Sequence, residues 1–170
     1  KRKHQGIPGI EILPTGRLFT CWYAGFEAGE GPGNFVLLST SSDGGQFWKE
    51  IQVIAPSDPK YERAYDPVLW LDPQGRLWWF WSQCNATALW NVFDGRAGVW
   101  ATCCENPDTD RPEWNAPRRI ADGVMMNKPS VLSDGTWLLP VSLWSCYPEQ
   151  ILPELEAVSK ANVLLSKDNG

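Results

Sequence analysis

The chain has 170 residues, of which 43% are hydrophobic and 21% are charged, and its formal net charge is −5. This length fits about one domain with a sizeable core, and the acidic balance argues against nucleic acid as a partner. No run of about 18 apolar residues is present, so the sequence predicts no membrane span of ordinary length. The 11 Trp, 15 Gly and 14 Pro residues indicate many short strands joined by tight turns.

A hairpin pattern occurs three times along the chain, beginning at Pro8, Pro67 and Pro129, about sixty residues apart. In each copy a short apolar strand leads into a turn that contains glycine, and a strand rich in β-branched or aromatic residues returns. After a variable loop a third strand is predicted in each copy, and a fourth in the first two. The predicted third strands are 35–40, 98–103 and 162–166, the predicted fourth strands are 48–54 and 114–120, and 153–158 is predicted to form one or two helical turns.

Each unit is therefore predicted to be a four-stranded antiparallel sheet, which is the form of a propeller blade. Such a sheet is apolar on both faces and needs radially packed neighbours. The sequence thus predicts an all-β fold, a β-propeller, with blade 1 at about 5–56, blade 2 at about 64–122 and the start of blade 3 at about 126–170. Because propellers have about four to eight blades, the chain is expected to be a fragment whose remaining blades are missing.

The turn after the first predicted third strand has the form Ser-x-Asp-x-Gly-x-aromatic-Trp, known as an Asp-box. Its residues are Ser41, Asp43, Gly45 and Trp48, and the start of the pattern returns at Ser166, Asp168 and Gly170. The carboxylate can accept backbone N–H groups across the turn, glycine takes a positive φ, and Trp is expected to pack between sheets. The motif is therefore predicted to be structural.

Asp-boxes at blade spacing in a four-stranded repeat resemble the sialidase superfamily, also called the bacterial neuraminidase repeat (BNR) family. The resemblance spans the chain and implies a six- or seven-bladed propeller that hydrolyses a glycan. Sialidases of this kind carry an Arg-Ile-Pro motif whose arginine binds the sialic acid carboxylate, whereas this chain has Gly6-Ile7-Pro8. A standard sialidase is therefore not expected, and the stretch from His4 is more similar to propeller α-L-rhamnosidases, which use a histidine on this face.

The loop-rich end of the predicted propeller holds the entries to the first strands and the loops between second and third strands. His4, the only histidine, lies there and is the leading catalytic candidate, because imidazole can act as acid or base near neutral pH. An exposed histidine without a catalytic role fits the same position. Tyr65, at a matching position in blade 2, is predicted to donate a proton or a hydrogen bond.

The other candidates at this end are predicted to bind a sugar. Aromatic rings stack on the C–H face of a pyranose, while carboxylates and amides hold hydroxyl groups and basic groups can pair with a substrate carboxylate. Several of the aromatic side chains can equally belong to the strand core, and the charged ones can be solvated. The predicted binding residues are Gln5, Trp22, Tyr23, Glu30, Asn34, Arg63, Asp66, Trp81, Gln83 and Lys128, and Trp144 has the same alternatives as Trp81.

The favoured function is a glycoside hydrolase with His4 as acid/base, helped by Tyr65, Arg63 and Glu30. The two carboxylates that most glycosidases use are not singled out by spacing among Glu27, Glu30, Asp58, Glu62 and Asp66. A polysaccharide lyase that uses His4 and Tyr65 beside a uronate is the enzymatic alternative. A carbohydrate-binding propeller without catalysis is the alternative from a different class.

No cofactor or metal is predicted. The five cysteines are scattered without the paired spacing of a zinc site and are interpreted mostly as buried thiols, and no acidic loop has the ligand spacing of a calcium site. The Asn-x-Thr sequon at 85–87 is a pattern that often arises by chance. The sequence gives no direct signal for localisation, although the resemblance is compatible with a secreted or periplasmic enzyme.

Overall fold

The computed structural model describes residues 1–85, 97–143 and 152–170. Across these ranges the elements are β-strands, apart from a 3-10 helix at Pro153–Val158 where the sequence predicts helical turns. None of the helical residues among them forms a segment long and apolar enough to cross a membrane. Trp144, Cys146 and most of the predicted sequon lie outside the described residues.

The first sheet consists of four antiparallel strands in chain order. They are β1 (His4–Ile12), β2 (Leu18–Gly25), β3 (Phe35–Ser41) and β4 (Lys49–Ile54). All seven residues of β3 are buried, because this strand lies inside the sheet between β2 and β4. The predicted third and fourth strands of this unit agree with the structure to within one residue at each end.

The second sheet repeats the same order. Its strands are β5 (Glu62–Leu71), β6 (Leu77–Asn85), β7 (Gly98–Cys104) and β8 (Arg118–Asp122). The prediction that the fourth strand starts at Trp114 is wrong, since 114–117 precede β8 without strand structure. Pro117 has no N–H to donate to a ladder, and Trp114 instead packs edge-on against Trp79 with ring centroids 6.0 Å apart.

The third sheet has three described strands, in the order β11-β10-β9. They are β9 (Ser130–Val131), β10 (Trp137–Ser142) and β11 (Ala161–Ser166). Large aromatic side chains fill the space between the second and third sheets. Trp70 and Trp78 each meet Trp137 edge-on, with ring centroids 4.7 and 5.8 Å apart. Burying each such side chain stabilises the fold by about 1.5–3 kcal/mol or more.

The first strands of sheets one and two share a bulge immediately before a proline. The pairing register of β1 shifts between Gly6 and Gly9, and that of β5 shifts between Tyr65 and Val68. Inside these bulges Ile7 has φ 47° and Asp66 has φ 46°, values that side chains other than glycine seldom adopt. Each of these two sheets therefore has one strained position at a corresponding place, Ile7 in the first sheet and Asp66 in the second.

A carboxylate on β1 joins the first strands of sheets one and two to the segment that precedes β9. The Glu11 carboxylate accepts a hydrogen bond from the backbone N–H of Leu71 at 3.1 Å. It also forms an ion pair with the Lys128 ammonium at 2.8 Å. The Lys128 ammonium also donates to the backbone carbonyl of Ile10 at 3.0 Å. Lys128 thus lies against β1 in an inter-sheet contact.

The Ser41–Trp48 turn is closed by its own side chains. The Asp43 carboxylate accepts hydrogen bonds from the Ser41 hydroxyl at 2.7 Å and from the backbone N–H of Phe47 at 3.0 Å. Trp48 is 37% exposed and donates its indole N–H to the Gly45 carbonyl, so its expected packing between sheets is not found. In the corresponding later turn, Ser166 donates to Asp168 at 2.7 Å and accepts from the backbone N–H of Gly170 at 2.8 Å.

Candidate functional site

The loop between β2 and β3 is fixed against the start of β5. The backbone N–H of Gly33 donates to the Glu62 carbonyl at 2.8 Å, and that of Ala64 donates to the Asn34 carbonyl at 2.9 Å. The buried side chain of Asn34 accepts a hydrogen bond from the backbone N–H of Gly31 at 2.8 Å. These bonds place Glu30, the neighbour of Gly31, beside the first residues of β5.

Two buried side chains hold the Glu30 carboxylate. The Tyr23 hydroxyl donates to Oε1 at 2.5 Å, and the Arg63 guanidinium donates to Oε2 at 3.0 Å. Tyr23 and Arg63 are 2% and 3% exposed, whereas the Glu30 side chain is 46% exposed. The carboxylate is therefore held by the protein on one side and open to solvent on the other.

Arg63 is itself fixed by aromatic rings. Its guanidinium carbon lies 4.1 Å from the ring centroid of Tyr65 and 5.9 Å from that of Tyr23. A cation over an aromatic face is stabilised by the ring quadrupole, and more strongly so in a buried place. The positive charge that faces Glu30 is therefore built into the core between sheets one and two.

The carboxyl groups of Glu30 and Asp66 have pKa values shifted in opposite directions. Burial raises the pKa of Glu30, but the hydrogen bond from Tyr23 and the charge of Arg63 outweigh it, so that this pKa lies below its ordinary value. Burial raises the pKa of Asp66 to about 6. The positive charge of Arg63 opposes this shift, and the negative charge of Glu30 adds to it. Such a pair can supply one ionised and one protonated carboxyl in slightly acidic solution.

His4 lies at the other side of Tyr23. Its Nε2 is 3.4 Å from the Tyr23 hydroxyl oxygen, and the two ring centroids are 5.4 Å apart. The ring is half-buried at the start of β1, where His4 pairs with Gly25 at the end of β2. The structure therefore brings the predicted residues His4, Tyr23, Glu30, Arg63 and Asp66 to one place.

Tyr65 is 2% exposed, and burial raises the pKa of its hydroxyl well above the ordinary value. The Tyr65 ring packs against the Arg63 guanidinium. Its position is therefore that of a residue that supports Arg63 and not of one that contacts a sugar. Asn34 is likewise buried and holds the loop instead of facing solvent.

Five of the other predicted binding residues lie apart from this cluster. Trp81 is 1% exposed in the core between sheets one and two, where a sugar cannot reach it. Lys128 is bound to β1 through Glu11, as described above. Trp22, Gln5 and Gln83 make hydrogen bonds within the protein. The Trp22 indole N–H donates to the Gln5 side-chain oxygen at 3.1 Å, and the Gln83 amide donates to the Glu62 carboxylate at 3.4 Å.

Gly6 provides the space in which the Tyr23 ring lies. A Cβ atom at position 6 would be 3.1 Å from the Tyr23 ring carbon that bears the hydroxyl group and from the hydroxyl oxygen itself. Any larger side chain at this position requires the ring to move. An arginine at position 6 would therefore require the Tyr23 ring to shift by a few tenths of an ångström.

Within 1–85, 97–143 and 152–170, no three His, Cys, Asp or Glu side chains are grouped so that they could hold a metal ion. Burial raises the pKa of the Cys21 and Cys103 thiols to about 12, so both are protonated at neutral pH. The chemistry that this cluster can perform with its own groups is proton transfer by carboxyl, phenol and imidazole side chains.

Residues 16–170 match the family described as BNR repeat-like domain. The chain belongs to this family. The match covers most of the sequence and confirms the resemblance to sialidase-like BNR proteins. A comparison with curated proteins found no match.

Solved structures similar to this BNR repeat-like chain include two sialidases and an arabinanase. A Hadza microbial sialidase is 16% identical with a TM-score of 0.69, over 98% of this chain and 36% of its own. The Trypanosoma rangeli sialidase in complex with sialic acid is 16% identical with a TM-score of 0.69, over 99% of this chain and 29% of its own. The Bacillus subtilis arabinanase is 20% identical with a TM-score of 0.56, over 98% of this chain and 53% of its own. These likenesses confirm the predicted all-β propeller fold. The chain spans about a third to a half of the length of each of these structures.

Proposed function

We propose that this BNR repeat-like chain carries part of the active site of a glycoside hydrolase that removes a terminal sugar from a complex glycan and is not a standard sialidase. The observation that carries the proposal is the pair of carboxyls, Glu30 and Asp66, beside one buried arginine and with opposite pKa shifts. Most glycosidases use two carboxyl groups in this way. The fold likeness to sialidases and an arabinanase supports the same class.

In the proposed reaction Asp66 is the general acid and Glu30 the general base. Asp66 gives its proton to the glycosidic oxygen as the bond from that oxygen to the anomeric carbon breaks. Glu30 takes a proton from the water whose oxygen forms the new bond to the anomeric carbon. The balance is one water consumed and two hydroxyl products, with Glu30 releasing its proton to solvent and Asp66 reprotonated from solvent.

Two features support a substrate other than a sialoside. Position 6 has no guanidinium, and the Tyr23 ring fills the space beside it. Arg63 is engaged by Glu30 and two aromatic rings, so a substrate carboxylate would have to compete with Glu30 for it. The same engagement favours a hydrolase over a lyase, because a lyase needs a cation on the carboxylate of its uronate.

The test is to incubate the protein with sialosides, rhamnosyl-glucuronate glycans and uronic polysaccharides while following released sugar and ultraviolet absorbance. The expected result is release of a neutral terminal sugar without new absorbance. Free sialic acid would show that the interpretation of Gly6 is wrong, new absorbance would show a lyase, and binding without turnover would show a carbohydrate-binding module.

Variants of Glu30 and Asp66 test whether these two carboxyls carry out the hydrolysis. Glu30→Gln and Asp66→Asn are each expected to lower kcat by about 10²- to 10⁴-fold, because general acid and base catalysis contribute factors of this size. Glu27→Gln is the matched control, since Glu27 lies in the same loop, is exposed, and has only a 3.6 Å ion pair with Lys3. Full activity in both site variants would refute the assignment.

A further inference from the structure

The Tyr23 hydroxyl lies between two polar partners but has a single proton to give. Its oxygen is 2.5 Å from Glu30 Oε1 and 3.4 Å from His4 Nε2. An ionised carboxylate only accepts hydrogen bonds, so the proton of Tyr23 belongs to the bond with Glu30. Burial, and then the neighbouring Glu30, raise the pKa of Tyr23 above its ordinary value, which keeps this proton on the phenol.

The bond to Glu30 decides what His4 can do. With its only proton used, the Tyr23 oxygen meets His4 as an acceptor, and the contact at Nε2 is a hydrogen bond only when Nε2 carries hydrogen. A neutral imidazole has hydrogen on one ring nitrogen, so Nδ1 then has the free lone pair.

We propose that Tyr23 is a positioning residue that holds His4 as the Nε2–H tautomer, leaving the Nδ1 lone pair free to accept a hydrogen bond from a substrate hydroxyl. The inference rests on the proposed function for its substrate, but the tautomer itself follows from the contacts of Tyr23. It assigns to Tyr23 a task different from stacking on a sugar.

The surroundings of Tyr23 suit this task. The ring is buried, lies against Gly6 on β1, and has the Arg63 guanidinium 5.9 Å from its centroid. A rigid phenol fixes both the Glu30 oxygen and the His4 nitrogen that it contacts. Glycine at position 6 is what permits the ring to lie this close to the strand that carries His4.

Among the residues that the structure describes, the following charged groups lie near His4. Glu30 is its negative neighbour through Tyr23, and the charge of His4, when present, lowers the pKa of Glu30. Arg63 and Asp66 face Tyr23 from β5, while Lys3, which immediately precedes β1, pairs with Glu27. A change in the Tyr23 hydroxyl is therefore expected to reach both Glu30 and His4.

Nitrogen-15 NMR of histidine-labelled protein tests the tautomer without any substrate. His4 is the only histidine of the sequence, and His4→Gln identifies its signals. For the neutral imidazole, we expect hydrogen on Nε2, a free Nδ1, and an Nε2 proton that exchanges slowly with water. In Tyr23→Phe, which keeps the ring, this proton should exchange faster. Hydrogen on Nδ1 in the unmodified protein, or equal exchange in both proteins, overturns the inference.

The kinetic test is carried out on the same variant. Loss of one hydrogen bond is expected to lower kcat by up to about tenfold with little change in KM. Because the Tyr23 bond lowers the pKa of Glu30, the acidic limb of the pH profile should also move to higher pH. Tyr61→Phe is the matched control, since Tyr61 is 40% exposed and should retain both values. An unmoved acidic limb in Tyr23→Phe counts against the inference.

The two proposals fail separately. If no glycan is hydrolysed but His4 has the Nε2–H tautomer and its proton is protected by Tyr23, the proposed function is wrong and the positioning by Tyr23 stands. If a glycan is hydrolysed and Glu30→Gln is inactive, but His4 has hydrogen on Nδ1, the positioning is wrong and the hydrolase stands.

Discussion

Asp66→Asn is expected to stabilise the fold in neutral solution while abolishing hydrolysis. Burial raises the pKa of this carboxyl from 3.8 to about 6. The folded protein therefore ionises Asp66 less readily than the unfolded chain does. Asparagine has nearly the same shape, cannot ionise, and accepts the positive φ at this position at least as well as aspartate.

The sign and the size follow from proton linkage. Between pH 4 and pH 6 the unfolded chain has already lost the proton that the folded protein retains, so the free energy of unfolding falls as the pH rises through this window. A shift of about two pKa units corresponds to about 3 kcal/mol. Relative to the unmodified protein, Asp66→Asn should therefore gain about 3 kcal/mol more at pH 8 than at pH 3.5.

Urea unfolding of both proteins, followed by tryptophan fluorescence at the two pH values, measures this difference. Every other titrating group is present in both proteins, so the difference reports Asp66 together with its coupling to Glu30. The φ preference of asparagine contributes equally at both pH values and cancels. A variant that is less stable than the unmodified protein at pH 8, or equally shifted at both pH values, would refute the reasoning about burial.

Three further predictions concern other parts of the chain. Asp43→Asn should lower the free energy of unfolding more at pH 7 than at pH 3, because backbone hydrogen bonds in its turn lower the pKa of that carboxyl; equal losses in urea titrations would contradict this. Gly6→Ala adds a methyl group about 3.1 Å from Tyr23 and should cost about 1–3 kcal/mol in thermal unfolding and reduce kcat, whereas unchanged kcat would show that the ring can move freely. Lys128→Met breaks the ion pair with Glu11, should cost about 1 kcal/mol or less and leave KM unchanged, and a raised KM would restore its predicted role in substrate binding.

Much of the fold can be predicted from the sequence because its signals are local. The local signals mark the third and fourth strands of the first sheet to within one residue. The start of β8 was misplaced because Trp114 has the side chain of a strand residue, although it packs against Trp79 from outside the ladder. The apolar character of a side chain indicates that it will be buried, but it does not show whether the residue belongs to a strand or to a loop.

The sequence names the residues that the structure brings together in the candidate site, but it does not give their contacts. His4, Glu30 and Asp66 could be named because they fall in loops at one end of the repeat. That Tyr23 donates to Glu30, and that Arg63 reaches the same carboxylate, depends on side chains 7 and 33 residues away along the chain. The different pKa shifts that separate the two carboxyls arise from burial and from these partners, neither of which spacing reveals.

The bulge shared by β1 and β5 offers a route for protein engineering. Ile7 and Asp66 stand at corresponding places with the same left-handed backbone, but one side chain is aliphatic and the other is acidic. Aspartate tolerates such a φ better than a β-branched side chain does, so Ile7→Asp should relieve local strain and present a new carboxyl group in the orientation that Asp66 has on the neighbouring sheet. A repeated backbone distortion of this kind allows acidic groups to be moved from one unit to the next without redesigning the strands that hold them.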